Sequence, residues 1–188
     1  MERRALLKMI ALLTGGTVIG ADLFLSGCNT TTGKYFSEND IAFFDEVAET
    51  IIPRTDTPGA KDAETGKFIA TYATGCYDKV QQKILRDGIQ QLNKAANKKY
   101  AAAFMQLTAP QKEELLTLID KEVGTYNAAK TIAANGEQAP HYSTLMKQLS
   151  LLGFFTSKPG ATKVLRYIPV PGKYEGCIDY KKGETAWA

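Results

Sequence analysis

The chain has one histidine and three cysteines, and these limit the chemistry it could do alone. A zinc site needs Cys and His ligands gathered in short-range pairs. Here His141, Cys76 and Cys177 stand far apart in sequence, and Cys28 is farther off still. There is no C-x-x-C-H for covalent haem and no cysteine cluster for iron–sulfur. A Ser-His-Asp set would need His141 as its base, and no G-x-S-x-G supplies its nucleophile. His141 follows Pro140 and reads instead as a helix-start or surface residue. Glu113-Glu114 and Asp120 with Glu122 are carboxylate pairs, the material of acid–base work. They sit among Lys112 and Lys121 on what reads as a solvated helix face. The Asp56–Asp62 segment offers oxygen ligands for a cation, yet lacks the glycine and terminal glutamate of a calcium loop. No P-loop occurs, and Gly15-Gly16-Thr17-Val18-Ile19-Gly20 only imitates a dinucleotide loop, since no strand precedes it. The residues therefore predict no catalytic, cofactor-binding or metal-binding site within this chain.

The elements that would position these residues read as helices. Ser37 with Asp40 three residues on is a helix start, followed by Ile41, Phe44, Ala48 and Ile51 at helical spacing. Pro53 ends that helix, and residues 53–62 form a loop rich in turn formers. Further helices are predicted over about 63–74, and over about 77–97 with Val80, Ile84, Leu85, Ile89 and Leu92 in step and Gly88 weakening the run. Thr108-Ala109-Pro110-Gln111 opens another, with Leu115, Leu116, Ile119 and Val123 as its buried stripe. Gly124 and Gly136 bracket a weaker helical stretch, and a last helix covers about His141 to Phe155. No period-two run is long enough for a sheet. The fold class is all-α: a compact helical bundle with an irregular, aromatic-rich C-terminal tail packed on it. A short helix is plausible near Ala161–Tyr167; beyond it, Pro169, Pro171, Gly172, Gly176 and Gly183 forbid a long regular element. Tyr167, Tyr174 and Trp187 mark this tail as one that packs on something, its own bundle or a partner's surface.

The N-terminus reads as an export signal. Arg3-Arg4-Ala5-Leu6-Leu7-Lys8, an apolar stretch to Leu25 and then Leu25-Ser26-Gly27-Cys28 form a signal peptide over residues 1–27. Arg3 and Arg4 resemble the twin-arginine signal for folded cargo, and the last four residues resemble a lipobox with Cys28 lipidated. Residues 28–37 follow as a tether and 38–188 as the folded domain. This predicts a protein on the periplasmic side of a bacterial membrane, held there by the Cys28 lipid. In that oxidising compartment Cys76 and Cys177 are a candidate disulfide, with two free thiols as the alternative. The formal charge of the whole chain is +3, with no basic block, which argues against a nucleic-acid partner.

Two blocks carry a family resemblance. Gly153-Phe154-Phe155-Thr156-Ser157-Lys158-Pro159-Gly160-Ala161-Thr162, with Leu165-Arg166-Tyr167 and Pro171-Gly172-Lys173-Tyr174-Glu175-Gly176-Cys177, is similar to the C-terminal signature of the gluconate 2-dehydrogenase subunit 3 family. Ile51-Ile52-Pro53-Arg54-Thr55-Asp56-Thr57-Pro58-Gly59-Ala60 resembles its other hallmark. The resemblance implies a non-catalytic small subunit of an exported flavin-dependent sugar or sugar-acid dehydrogenase. Its large partner would be of the glucose-methanol-choline type and carry the FAD, with a c-type cytochrome taking the electrons onward. The small subunit would aid folding, co-export and membrane tethering of that partner. No catalytic residue carries over, and the lipobox departs from many members. Pro53, Asp56, Pro58, Tyr167, Tyr174 and Trp187 are the candidate partner interface. A free-standing periplasmic lipoprotein that binds a sugar or scaffolds the envelope is the competing reading.

Overall fold

Ser37 starts the first helix, as its residue type predicts. Its hydroxyl accepts the Asp40 amide at 3.3 Å, and the Asp40 carboxylate accepts the Ser37 amide at 2.8 Å, closing a capping box. The computed structural model describes residues 35–132, 139–170, 172–173, 176–179 and 181–188, and these fall in one unit, Tyr35–Ala188. Arg3, Arg4, Cys28 and Tyr174 lie outside the described residues.

Helix α1 (Glu38–Ile51) stops before Pro53, which cannot continue it. A 3-10 turn, Lys61–Ala63, leads into α2 (Thr65–Cys76). Helix α3 (Lys79–Tyr100) is capped by Asp78, whose carboxylate accepts the Gln81 amide at 2.7 Å. A 3-10 turn, Phe104–Gln106, precedes α4 (Ala109–Ile132). At its entry the Thr108 amide and hydroxyl both donate to the Gln111 side-chain oxygen, at 3.0 and 3.1 Å. Helix α5 (Tyr142–Phe155) is capped by His141, whose Nδ1 accepts the Ser143 amide at 3.2 Å. A π-helical turn, Gly160–Val164, follows. Among the described residues there is no β-strand, only one isolated parallel bridge between Arg166 and Trp187. The all-α bundle read from the sequence is the fold.

The helices meet where a side chain is missing. A Cβ on Gly66 would lie 2.3 Å from the Ile41 carbonyl oxygen, so α1 and α2 touch backbone to backbone there. The contact is fastened by Asp45 of α1, whose carboxylate accepts the Gly66 amide at 2.6 Å and so caps the first turn of α2 from a neighbouring helix. Burial pushes the Asp45 carboxyl up, against the lowering effect of that bond. Gly88 does the same for α3 and α5: its Cβ would stand 2.7 Å from Tyr142 Cβ and 3.0 Å from Met146 Cε. The glycine that costs α3 helix propensity is the one that lets α5 approach. Phe44, Leu85, Leu92, Phe104, Met146 and Leu149 fill the space between the helices, each at most 2% exposed.

Several sequence expectations change. Phe36, assigned to the polar tether, is 1% exposed in the core, with its ring 5.4 Å from Phe44. Tyr35 stacks beneath Arg86, so the domain begins before Ser37. Val80, placed in the apolar stripe of α3, is 63% exposed; it sits in the first turn, before the helix reaches the core. Helix α4 runs through Gly124 without a break. Lys112, read as a solvated lysine, is 7% exposed: its ammonium donates to Glu46 of α1 at 2.7 Å while its stem lies inside the bundle. Glu46 also takes the ammonium of Lys61, joining α1, α4 and the first 3-10 turn. Two carboxylates on α4 are likewise in cross-helix ion pairs, Glu114 with Lys99 and Asp120 with Lys147.

The disulfide does not form. Cys76 ends α2 and Cys177 lies in the tail; both are exposed free thiols. The tail closes on itself at Arg166 and Trp187. Tyr167, Ile168, Val170, Ile178 and Trp187 accordingly stay exposed, so the aromatic tail is not buried in the bundle. Among the described residues no helix is long and apolar enough to cross a membrane.

Two outcomes test this packing. Gly88→Ala should destabilise the protein by about 1–3 kcal/mol, because the new methyl overpacks against Tyr142; a denaturant midpoint equal to wild type would remove the close contact. Glu46 gives a pH signature. Burial raises its carboxyl, but the hydrogen bonds from Lys112 and Lys61 outweigh this and hold it below its ordinary 4.5. A depressed carboxyl contributes stability above the unfolded value, and that contribution is lost as pH falls through the folded value. Wild type should thus lose stability below about pH 4.5, and Glu46→Gln should lack that component. Parallel stability-against-pH curves for the two proteins would contradict the network.

Candidate docking site

The two sequence blocks that resemble a family, more than ninety residues apart, meet in space. Ala48 of α1, Ala60 of the loop and Phe154 of α5 form a small second core, each at most 1% exposed. Ile52, Ala63 and Val164 pack against it. Phe154 is thus the plug on which both the 52–62 loop and the start of the C-terminal segment rest.

The second block is built around that plug. Ser157 caps the turn that follows α5: its hydroxyl donates to the Phe154 carbonyl at 2.6 Å and accepts the Gly160 amide at 3.1 Å. Pro159 sits in the first turn, where its missing N–H costs nothing. Gly160 has no alternative, since a Cβ there would lie 2.0 Å from the Phe154 carbonyl oxygen. The chain then widens into the π-helical turn closed by the Leu165 amide on the Gly160 carbonyl at 3.0 Å.

The loop is held by two carboxylates that sequence reasoning missed. Glu49 of α1 accepts the Arg54 amide at 3.0 Å and the Lys61 amide at 2.8 Å. Asp62 accepts the Gly59 amide at 2.9 Å and the Arg54 guanidinium at 3.2 Å. The buried Thr65 hydroxyl donates to the Ala60 carbonyl at 2.8 Å, and the Ala60 amide to Ile52 at 3.0 Å. The loop is therefore irregular but bonded at both ends. Asp62 carried a partial signal, since it closes the run of turn-forming residues, three positions after Gly59. Glu49 carried none, because a glutamate on the polar side of a helix looks solvated until the loop folds over it.

Pro53 and Asp56 are exposed on this loop, and Pro58 is half-buried under it. Trp187 is held at a separate clasp, against Arg166, the residue before Tyr167. The Arg166 amide donates to the Ala186 carbonyl at 2.8 Å, and the Ala188 amide to the Arg166 carbonyl at 3.0 Å. The Arg166 guanidinium reaches the Thr185 carbonyl and Glu184, at 3.0 and 2.9 Å, and lies 4.7 Å from the Trp187 ring. So the candidate interface residues split between an anchored loop and a clasped tail.

A cleft of about 260 Å³ opens beside the loop, between α1, α3, α4 and α5. Its floor is Val47, Ile51, Leu116 and Met146, with Tyr142 beneath; Thr50, Glu113 and the Asp120–Lys147 pair stand at its edge. A second hollow, lined by Pro53, Arg54 and Lys112, shares Thr50, Ile51 and Glu113 with it, so the two are continuous. Burial pushes the Tyr142 phenol up to about 12, and its proton stays on at neutral pH. The His141 ring is lowered by burial, with Glu122 opposing. Among the described residues no three His, Cys, Asp or Glu gather as metal ligands. What the cleft offers is a shaped apolar surface with paired charges at its rim, suited to receiving side chains. Nothing in the sequence pattern pointed to it, because its lining comes from four helices, α1, α3, α4 and α5, spread along the chain.

Phe154→Ala tests the junction. It should cost about 3–5 kcal/mol and speed amide exchange in residues 52–62 and 160–166 more than in α3. Equal protection of the loop in the variant and in wild type would show that Phe154 does not support it.

The chain matches no curated protein and no solved structure. The model of one family, gluconate 2-dehydrogenase subunit 3, matches residues 38–172, which takes in the first block, the second as far as Gly172, and every helix described above. With the match covering more than half of the chain and ending inside the clasped tail, the protein belongs to the gluconate 2-dehydrogenase subunit 3 family.

Proposed function

We propose that this chain is a non-catalytic accessory subunit of a membrane-associated, FAD-dependent sugar or gluconate dehydrogenase. The flavin belongs to a partner of the glucose-methanol-choline type, and a c-type cytochrome takes the electrons onward. This chain aids the folding and co-export of the flavin subunit through the Arg3-Arg4 signal and tethers it at the periplasmic face through a lipid on Cys28. Family membership supports the assignment to such a complex.

The observation that carries the docking role is the anchored loop. Pro53, Arg54 and Asp56 are exposed on a loop whose Arg54 and Lys61 amides are held by Glu49 and whose Gly59 amide is held by Asp62 before any partner arrives. A surface ordered in advance loses less conformational entropy on binding. The apolar cleft continues from its foot, so an inserted side chain would be desolvated beside a polar rim. Binding of this kind stabilises the folded flavin subunit by mass action.

Co-expression tests the role. The flavin subunit, made with this chain, should be recovered in the periplasmic membrane fraction with flavin bound, and should fall in yield without it. Asp56→Lys should lower the amount co-purified severalfold while leaving the helix content of this chain intact. Unchanged yield, export and activity of the flavin subunit in the absence of this chain would defeat the proposal.

A further inference from the structure

The clasped tail differs in charge from the bundle it leaves. Between Tyr35 and Thr156 acidic side chains outnumber basic ones, fifteen to thirteen. From Ser157 to Ala188 the balance reverses, with six basic and three acidic side chains. Lys158, Lys163, Lys173, Lys181 and Lys182 are all exposed. So are Tyr167 at 54%, Ile168 at 49%, Val170 at 80%, Ile178 at 53% and Trp187 at 49%. Arg166 fixes residues 184–188 alongside itself, which sets Trp187 against the Arg166 side chain, next in the chain to Tyr167 and Ile168. Ile178 and Trp187 line one depression of about 420 Å³. Lys181 and Lys182 stand on the turn that closes on Glu184.

A patch of this kind marks a protein or a membrane contact. The lysines decide between them. Protein interfaces favour Trp and Tyr but are depleted in Lys. A bilayer surface favours all three, with aromatic rings at headgroup depth and lysines over anionic lipid. We propose that the Arg166-clasped tail is a membrane-attachment surface for anionic lipid, inserting Trp187 and Ile168 at headgroup depth. This gives Tyr167 and Trp187 a different partner from the loop's. The inference does not depend on the flavin-subunit reading, since it needs only this chain and a bilayer.

The chain contains a single tryptophan, so its emission reports on Trp187 alone. The test uses the full chain with Cys28→Ala, which keeps lipid off. It is titrated with vesicles of equimolar phosphatidylglycerol and phosphatidylcholine, and with vesicles of phosphatidylcholine only. Emission should shift to the blue on the anionic vesicles and stay put on the neutral ones. Attachment elsewhere in the chain would leave the reporter silent. Lys181→Gln with Lys182→Gln should raise the lipid needed for half the shift roughly twentyfold, about fivefold for each lysine. Salt at about 1 M, which shortens the Debye length to about 3 Å, should suppress it. No shift on anionic vesicles would overturn the proposal, as would an equal shift on both vesicle types or an unmoved midpoint in the lysine variant. A shift that needs added flavin subunit instead of lipid would also overturn it, and would make the tail a protein interface.

Discussion

Backbone approaching backbone at points with no room for a side chain is the constraint that holds this molecule in register. At Gly66 the second helix meets the carbonyls of the first, and at Gly88 the third helix admits Tyr142 of the fifth. At Gly160 the chain turns back onto the Phe154 carbonyl. Packed interiors have no spare volume to absorb a methyl group at such places. Gly66 and Gly88 therefore set helix crossings, and Gly160 sets the turn from which the tail emerges. The helix propensity forfeited at Gly88, about 1 kcal/mol against alanine, is small beside the apolar surface that the close crossing buries.

Around this frame, carboxylates serve as fasteners, for backbone and for lysines of other elements. Asp45 caps a neighbouring helix, Glu49 and Asp62 hold the 52–62 loop, and Glu46 binds two lysines from different elements. Charged acceptors on backbone amides are stronger than neutral ones and tolerate little misalignment. The cost is desolvation, visible in the upward push on Asp45 and the opposed effects on Glu46. Of the acids that the sequence offered for acid–base work, Glu114 and Asp120 are paired with lysines of neighbouring helices. What remains outward-facing is shape: an anchored loop, an apolar cleft and a clasped aromatic tail.

Loop and tail share one support. Phe154 lies under both, touching the Ala60 side from α5 while the residues after it, Ser157 and Gly160, turn the chain outward. The G-F-F-T-S-K-P-G run is therefore a structural sentence: a buried plug, a cap, a first-turn proline and a position without a side chain. The two blocks are coupled by contact in one small apolar cluster. The spacing between them in sequence has no part in it.

Much of the fold was legible in the chain because it depends on local rules. The capping signals at Ser37 and Thr108, the stop at Pro53 and the apolar stripes of Leu85, Leu92, Leu115 and Ile119 act within a few residues of themselves. The same holds for His141 as a helix-start residue. What local rules could not reveal was which distant groups would meet. Phe36 looked like tether and is core; Lys112 looked solvated and is buried on Glu46; Cys76 and Cys177 looked pairable and stay apart. The cleft and the Arg166 clasp were invisible for the same reason. By itself the sequence determined the helices, their ends and the family. The crossings, the loop's fasteners and the outward face of the tail were decided by tertiary structure, since each rests on a contact between residues far apart along the chain.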